Sequence, residues 1–175
     1  MAAWDDLLFA VRRSVRYHHR RMRFFDLVGK WANGLSIVFG SAAVASILGD
    51  DHKVAATGAA LLIVVVQTID LIIGSSKVAR DHSDLARRFV VLEAEMAKAH
   101  QSPETLKGFE VKRLEIEGDE PPIMRMLDVL CHNELAKAQG SPDGDLYRVT
   151  WLKRRLAQFI SFDTHGLKRL SEPAS

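Results

Sequence analysis

The chain has 175 residues and a formal net charge of +2, and 47% of its residues are hydrophobic. Its apolar residues are concentrated, because the stretch from Trp31 to Ser76 contains few charged side chains: Asp50, Asp51, Lys53 and Asp70. A soluble domain spreads its apolar residues more evenly, so the pattern argues against an ordinary soluble fold. The single cysteine, Cys131, excludes an internal disulfide and fits a reducing compartment.

Residues 1–30 predict a basic amphipathic helix on the cytoplasmic side of a membrane. One face of this helix repeats at alternating spacings of three and four, which is the heptad pattern of packed helices. The positions of this seam are Leu8, Val11, Val15, His18, Met22, Phe25 and Gly29.

Residues 31–49 predict a first transmembrane helix, because they carry no charge and are rich in small side chains. Small residues four apart let membrane helices approach closely. The predicted packing positions are Gly40, Ser41, Ala45 and Gly49. About 30 residues precede this run and a second apolar run follows, which argues against a cleaved signal peptide.

Residues 54–76 predict a second transmembrane helix after an outer turn at 50–53. They contain one ionisable side chain, and about 20 apolar residues suffice to span a ~30 Å hydrocarbon core. Lys and Arg residues flank the two runs on the outside of the pair, whereas the turn has only Lys53. The positive-inside rule therefore predicts cytoplasmic termini in a bacterial inner membrane. A buried helix pair in a soluble protein is the alternative.

An acidic side chain within the second run suggests a functional layer. If the turn centres between Asp51 and His52, residues whose numbers sum to about 103 lie at one depth. This register places Asn33 near Asp70 and Ser36 near Gln67. An ionisable residue inside a membrane is a functional hypothesis by default. The four residues therefore form either a polar layer between the two helices or a pore-lining or subunit-contact ring in an oligomer.

Residues 77–101 predict a cytoplasmic continuation of the second helix. Its seam positions are Val78, His82, Leu85, Phe89, Leu92 and Met96. No proline precedes Ser102, so the sequence predicts two long, uninterrupted antiparallel helices. The seam histidines, His18 and His82, either set the register of packing or sense pH or bind a metal.

Residues 102–175 predict a C-terminal helical region. Ser102 and Pro103 suit the start of a helix that ends by Gly118. A second helix is expected from Asp119 to Gln139, and a third, basic and amphipathic, from Leu146 to Phe162. The third helix either packs on the protein or lies on an anionic leaflet. Residues 164–175 are expected to be frayed.

No catalytic constellation is present in the sequence. It contains no phosphate-binding loop, no GxSxG and no HExxH motif, and the cluster Cys131, His132 and Glu134 has no second half. We therefore expect no enzyme activity, no cofactor, no metal site and no specific nucleic-acid binding. The predicted fold class is all-α: a two-transmembrane helical hairpin whose long helices extend into the cytoplasm, with additional C-terminal cytoplasmic helices.

Two segments resemble a known family. The sequences RRMRFFDLVGKW before the first apolar run and KVARDHSDLARRFVVLEAEM after the second, together with the tight turn between the runs, are similar to the SLATT proteins. These are SMODS- and SLOG-associating two-transmembrane effectors. The resemblance covers roughly 15–96 and rests on architecture and on residues 79–96.

The resemblance implies a membrane effector of a bacterial anti-phage conflict system. Such proteins are proposed to form homo-oligomers and to permeabilise the inner membrane on a signal from a nucleotide-signal synthase or a sensor protein encoded nearby. Two other classes stay open from the sequence: a phage lysis protein of the holin type and a non-conducting membrane scaffold.

Overall fold

A computed structural model describes residues 2–40 and 53–172 of the chain. Within these residues the fold is all-helical, as the sequence predicts. The helices are α1 (Ala2–Gly40), α2 (Lys53–Ile73), α3 (Ser75–Lys98), α4 (Pro103–Glu117), α5 (Arg125–Ala138) and α6 (Trp151–Leu156). A short 3₁₀ turn, Asp143–Asp145, lies between α5 and α6. The predicted outer turn lies outside the described residues except for Lys53, which begins α2.

The chain divides into two compact units. The first, here called the charged domain, comprises Met1–Arg20 and Ser83–Ser175, and the second, called the apolar unit, comprises Arg21–His82. Each unit has its own pattern of burial.

The charged domain buries its apolar side chains in two clusters. The first contains Trp4, Leu7, Val11, Leu85, Phe89, Leu92, Met96, Phe109 and Ile116. The second contains Tyr17, Met126, Leu127, Leu130, Cys131 and Ala157. The predicted seams supply Val11 and all four α3 positions of the first cluster, so the heptad prediction is confirmed there.

The apolar unit has the opposite pattern, since the apolar side chains of α2 are exposed. Leu62 is 64% exposed, Leu71 83% and Ile72 78%. One helical stretch of the described residues, Ala60–Lys98, is long and apolar enough to cross a membrane, and its best 18-residue window has a mean hydropathy of 1.8 with 6% of it buried. The amino-terminal part of this stretch is therefore apolar on its outside.

The second long helix is interrupted, which contradicts the predicted continuous helix. Gly74 has φ +65°, a left-handed conformation that costs glycine little, and its N–H donates to the Asp70 carbonyl at 2.8 Å. This bond is the left-handed C-terminal cap of α2. The Gly74 carbonyl then accepts from the N–H groups of Lys77 and Val78 at 2.8 and 3.0 Å, so α3 begins directly. The absence of proline did not ensure continuity, because a Gly-Ser pair also breaks helices.

The start of the C-terminal region follows the sequence prediction. Ser102 caps α4 by accepting a hydrogen bond from the N–H of Thr105, whose hydroxyl accepts in return from the Ser102 N–H. Pro103 is the first residue of the helix, and α4 ends before Gly118. The helix predicted from Asp119 begins only at Arg125. Pro121 and Pro122 delay the helix, because a proline disfavours helical conformation at the residue before it.

Two predictions for the C-terminal region are wrong. The expected helix Leu146–Phe162 is reduced to Trp151–Leu156, because the residues before it pair with the chain end instead. Arg148 N–H donates to the Lys168 carbonyl at 2.8 Å, and Leu170 N–H donates to the Leu146 carbonyl at 2.9 Å. The described part of the segment expected to fray, 164–172, is thus tied down by backbone hydrogen bonds.

Candidate functional site

The predicted polar layer lies within the apolar unit, and Gln67 is its centre. The side-chain amide of Gln67 donates to the Ala32 carbonyl at 2.8 Å and also to the Ser36 hydroxyl. The predicted juxtaposition of Ser36 with Gln67 is therefore confirmed, and α1 and α2 run antiparallel here. In a low-dielectric environment, a side chain that bridges two helices in this way fixes their register.

Asp70 lies one turn further along α2, and its surroundings differ from the prediction. Its Oδ1 atom is buried and accepts no hydrogen bond from any described residue, and Asn33, the expected partner, is exposed. A buried carboxyl oxygen without a donor is costly, whether the carboxyl is charged or neutral. Asp70 therefore presents an unmet acceptor inside the least polar part of the chain.

A close approach between helices in the apolar unit occurs at Gly29, outside the predicted small-residue positions. A Cβ atom built on the buried Gly29 meets the Ser76 hydroxyl at 3.6 Å and the Ser75 Cβ at 3.7 Å. Ser75 is 1% exposed, and its hydroxyl has no hydrogen-bond partner among the described residues. Of the predicted packing residues, Gly40 is the last residue of α1, and Ser41, Ala45 and Gly49 lie outside the described residues.

Sequence reasoning missed the contribution of the segment 74–76. The motif Gly74-Ser75-Ser76 indicates a break in the helix, whereas the apolar run before it favours a continuous helix, and the sequence prediction followed the apolar run. The structure places the helix break, the buried Ser75 hydroxyl and the Asp70 carboxyl within two turns of one another. The polar groups of this region are therefore concentrated where α2 ends.

The seam histidines are buried in aromatic surroundings. In the charged domain, His18 is 1% exposed and stacks on Phe89 with ring centroids 5.6 Å apart. Its Nε2 atom lies 3.0 Å from the Glu120 carboxylate, whose side chain is 6% exposed. In the apolar unit, His82 is 2% exposed and stacks on Phe25 at 6.0 Å. Each histidine thus serves as a packed core residue in its own unit.

Glu120 explains how the loop between α4 and α5 is held in the charged domain. Besides the contact between Glu120 and His18, the hydroxyl of Tyr17 accepts a hydrogen bond from the Met124 N–H at 2.9 Å. Two adjacent residues of α1 thereby fix both ends of a proline-containing loop. The sequence offered no signal for these contacts, because the partners are more than 100 positions apart.

The sequence cluster Cys131, His132 and Glu134 lies on α5, where its side chains are packed or paired within the protein. Burial raises the pKa of the Cys131 thiol to about 12, which keeps it protonated and unreactive. Burial and then the charge of Arg13 lower the pKa of His132, while burial raises the pKa of Asp128 against the opposing charge of Arg13. Glu134 accepts a hydrogen bond from Arg20 at 2.8 Å. Among the described residues no group of three or more His, Cys, Asp and Glu side chains is placed to hold a metal ion.

Comparisons with models of protein families, with curated proteins and with solved structures found no match to this chain. The class of protein is therefore defined by its fold and site alone. Over residues 2–40 and 53–172 the fold is all-helical, and one helical stretch of these residues, Ala60–Lys98, is long and apolar enough to cross a membrane. An acidic side chain, Asp70, lies in the apolar part of that stretch.

Proposed function

We propose that this protein is a membrane effector of a bacterial anti-phage conflict system that oligomerises and permeabilises the inner membrane on a signal from a partner. The observation that carries the proposal is the Asp70 Oδ1 atom, which is buried without a donor among the described residues on a helix whose apolar side chains are exposed. Such a group is expected to face other protein or a water-filled path when the helix lies in lipid.

Membrane insertion is supported by the burial pattern of α2. A core helix of a soluble protein also passes a test of length and hydropathy, but most of its surface is buried, whereas 6% of the best window is buried here. The proposed topology has two spans, 31–49 and 54–76, an outer turn at 50–53 and both termini in the cytoplasm. The basic residues on either side of the apolar runs support this orientation.

A homo-oligomer is the proposed functional form. A single pair of helices leaves the apolar face of α2 to lipid and gives the Asp70 Oδ1 atom no donor. Helix association in a membrane depends on packing and on interhelical hydrogen bonds, and a neighbouring copy covers the exposed apolar side chains of α2. In the oligomer the Asp70 carboxyl groups form a ring at one depth of the membrane.

The trigger is proposed to come from a partner, namely a nucleotide-signal synthase or a sensor protein encoded nearby. The resemblance of residues 15–96 to the SLATT proteins supports this part of the proposal. A messenger synthase gene beside the gene for this protein would agree with it, whereas a neighbouring endolysin gene would favour a holin.

The test compares the membrane leakage caused by the Asp70→Asn variant with that caused by the wild-type protein at equal protein level. This change keeps the size of the side chain and removes its charge, so we expect assembly to persist while ion selectivity and toxicity on overexpression change. Thr68→Val is the matched control, because Thr68 is exposed on the same helix and its hydroxyl donates to the Val64 carbonyl of its own turn. Both variants are compared by dye and ion efflux from proteoliposomes.

The outcomes separate the candidate functions. Unchanged efflux in Asp70→Asn contradicts the ring of carboxyl groups. Wild-type protein that inserts and yet releases no ions with or without its partner is a scaffold, and the effector proposal is then wrong.

A further inference from the structure

The segment around α6 exposes an unusual amount of apolar surface for a charged domain. Trp151 is 69% exposed, Leu152 57%, Phe159 66% and Ile160 48%. These four side chains lie within ten consecutive residues. Isolated exposed apolar residues are ordinary, whereas a concentration of large ones marks a contact surface.

The segment is fixed to the charged domain, so its exposed side chains are not the result of fraying. Ala157, between the two exposed pairs, is 0% exposed in the second core cluster. Val149 and Phe162, on either side of the exposed residues, pack partly buried against the same cluster. The core thus holds the segment at three points and leaves the apolar side chains between them at the surface.

Positive charge is concentrated in the same place. Residues 146–172 contain six Lys or Arg side chains and two acidic ones, a formal net charge of +4, whereas the whole chain has +2. Lys153, Arg154 and Arg155 lie directly beside the exposed apolar residues, and none of them is within 4.0 Å of a carboxylate oxygen of a described residue. Residues 151–160, here called the α6 segment, therefore carry three basic side chains and no acidic one, and they form a cationic patch in addition to the basic residues of 1–30.

We infer that the α6 segment, residues 151–160, is a second membrane contact that binds the surface of a bilayer through its anionic lipid headgroups. Basic side chains beside exposed tryptophan and aliphatic residues are the composition of peptides that lie in the interface between headgroups and acyl chains. Tryptophan favours this depth because its ring is apolar and its N–H is polar. The Arg155 guanidinium lies over the Trp151 ring, 5.7 Å from its centroid, which couples the charged and aromatic groups.

The lipid surface fits these observations better than the other partners do. A nucleic acid matches the charge but leaves the aliphatic side chains Leu152 and Ile160 exposed to water. A protein partner matches the apolar residues but gives no reason for a segregated positive charge. Only an anionic bilayer offers a continuous negative surface with an apolar layer a few ångströms below it. The inference rests on the proposed membrane location and assigns to the C-terminal region a role in it.

The experiment places a fluorescent reporter beside the patch without removing any of its residues. Ser161→Cys in the full-length protein is labelled with an environment-sensitive dye, while the native Cys131 stays unlabelled because it is buried and protonated. The labelled protein is reconstituted into vesicles of phosphatidylcholine with or without phosphatidylglycerol. Lipids with a quencher at a shallow position of the acyl chain report contact.

We expect strong quenching in vesicles that contain phosphatidylglycerol and its loss in pure phosphatidylcholine or at high salt, which screens headgroup charge. The triple variant Lys153→Gln, Arg154→Gln and Arg155→Gln should abolish the quenching. Its matched control removes three exposed lysines elsewhere, Lys98→Gln, Lys107→Gln and Lys137→Gln, and should keep it. Gln101→Cys is the reporter control for an exposed polar site.

Three outcomes overturn the inference. One is the absence of quenching in anionic vesicles, and the second is equal quenching in neutral ones. The third is dye burial that rises with protein concentration in detergent, which indicates contact with a second copy. Membrane insertion is scored separately by resistance to alkaline extraction, so failure of the proposed membrane location is distinguishable from failure of this contact.

Discussion

The charged domain and the apolar unit share the helices α1 and α3 but place their polar and apolar side chains in opposite ways. In the charged domain, Phe89 and Met126 are 0% exposed, and charged side chains face water. In the apolar unit, Leu71 and Ile72 are more than three-quarters exposed, while the Gln67 amide is bonded between helices. The hydrophobic effect stabilises the first arrangement in water, whereas the second is the arrangement expected of a helix in an apolar solvent, as the proposed function has it.

The difference separates two kinds of stabilisation. The charged domain is stabilised by removal of apolar area from water, so its most important residues are large and buried. If the apolar unit lies in lipid, as proposed, no such driving force acts between its helices, and small residues and interhelical hydrogen bonds are then decisive. The predictions below test this contrast.

The largest effect is expected from Phe89→Ala in the charged domain. Truncation of a fully buried aromatic side chain leaves a cavity and costs about 3–5 kcal/mol of the free energy of unfolding. The adjacent Val90 is 44% exposed, and Val90→Ala should change stability by less than about 0.5 kcal/mol. Thermal unfolding of the detergent-solubilised protein measures both. Equal effects at the two positions would contradict the assigned core.

A charged side chain introduced on the exposed face of α2 should impair membrane insertion only if lipid surrounds that face. Leu62→Lys should oppose membrane insertion by about 2.5–3.5 kcal/mol, the cost of a basic side chain near the centre of a spanning helix. Val91→Lys in the charged domain, where Val91 is 51% exposed, should leave insertion unchanged. The fraction resistant to alkaline extraction measures insertion. A silent Leu62→Lys variant would place α2 in water.

The buried contact between His18 and Glu120 is expected to matter more than an exposed pair of the same domain. Glu120→Ala removes the acceptor beside an imidazole that is 1% exposed and should destabilise the domain by about 1–3 kcal/mol. Glu117→Ala breaks the Arg113–Glu117 pair, which is partly exposed and worth about 0.3–0.5 kcal/mol. Chemical unfolding of both variants measures the two losses of stability. Equal losses would contradict the expectation that the buried contact matters more.

The buried thiol predicts a pH dependence of stability. Cys131 has a folded-state pKa of about 12, while an unfolded cysteine ionises near ~8.5. The folded state binds more protons between these values, so this contribution is complete below pH ~8.5 and is lost as pH rises toward 12. Between about pH 8.5 and 9.5 the loss is about 1 kcal/mol. Cys131→Ala should reduce the slope of stability against pH, and an unchanged slope would assign the effect to other groups.

The smallest effect is expected from the interhelical amide. Gln67→Leu leaves the Ser36 hydroxyl without this donor and should weaken the apolar unit by about 0.6 kcal/mol, the average for such bonds in membranes. Adding Ser36→Ala should recover part of the loss. A double-mutant cycle in mixed micelles, with Thr68→Val as the control, measures the coupling. Additive single effects would show that the bond does not link the helices.

The sequence by itself determined the all-helical class, the seam positions and the neighbouring placement of Ser36 and Gln67. These features depend on periodicity and on chain length between elements, which are local properties. It also identified the start of α4, because Ser102, Pro103 and Thr105 act on backbone groups within one turn.

Only the tertiary structure decided where the polar groups of the apolar unit find or lack partners. Asn33 and Asp70 share a register but not a hydrogen bond, since one side chain is exposed and the other has a buried oxygen. The short α6 was likewise unpredictable, because the pairing of Leu146 and Arg148 with residues near the chain end competes with the helix. Periodicity fixes the face on which a residue lies, whereas a contact depends on rotamers and on partners distant in sequence.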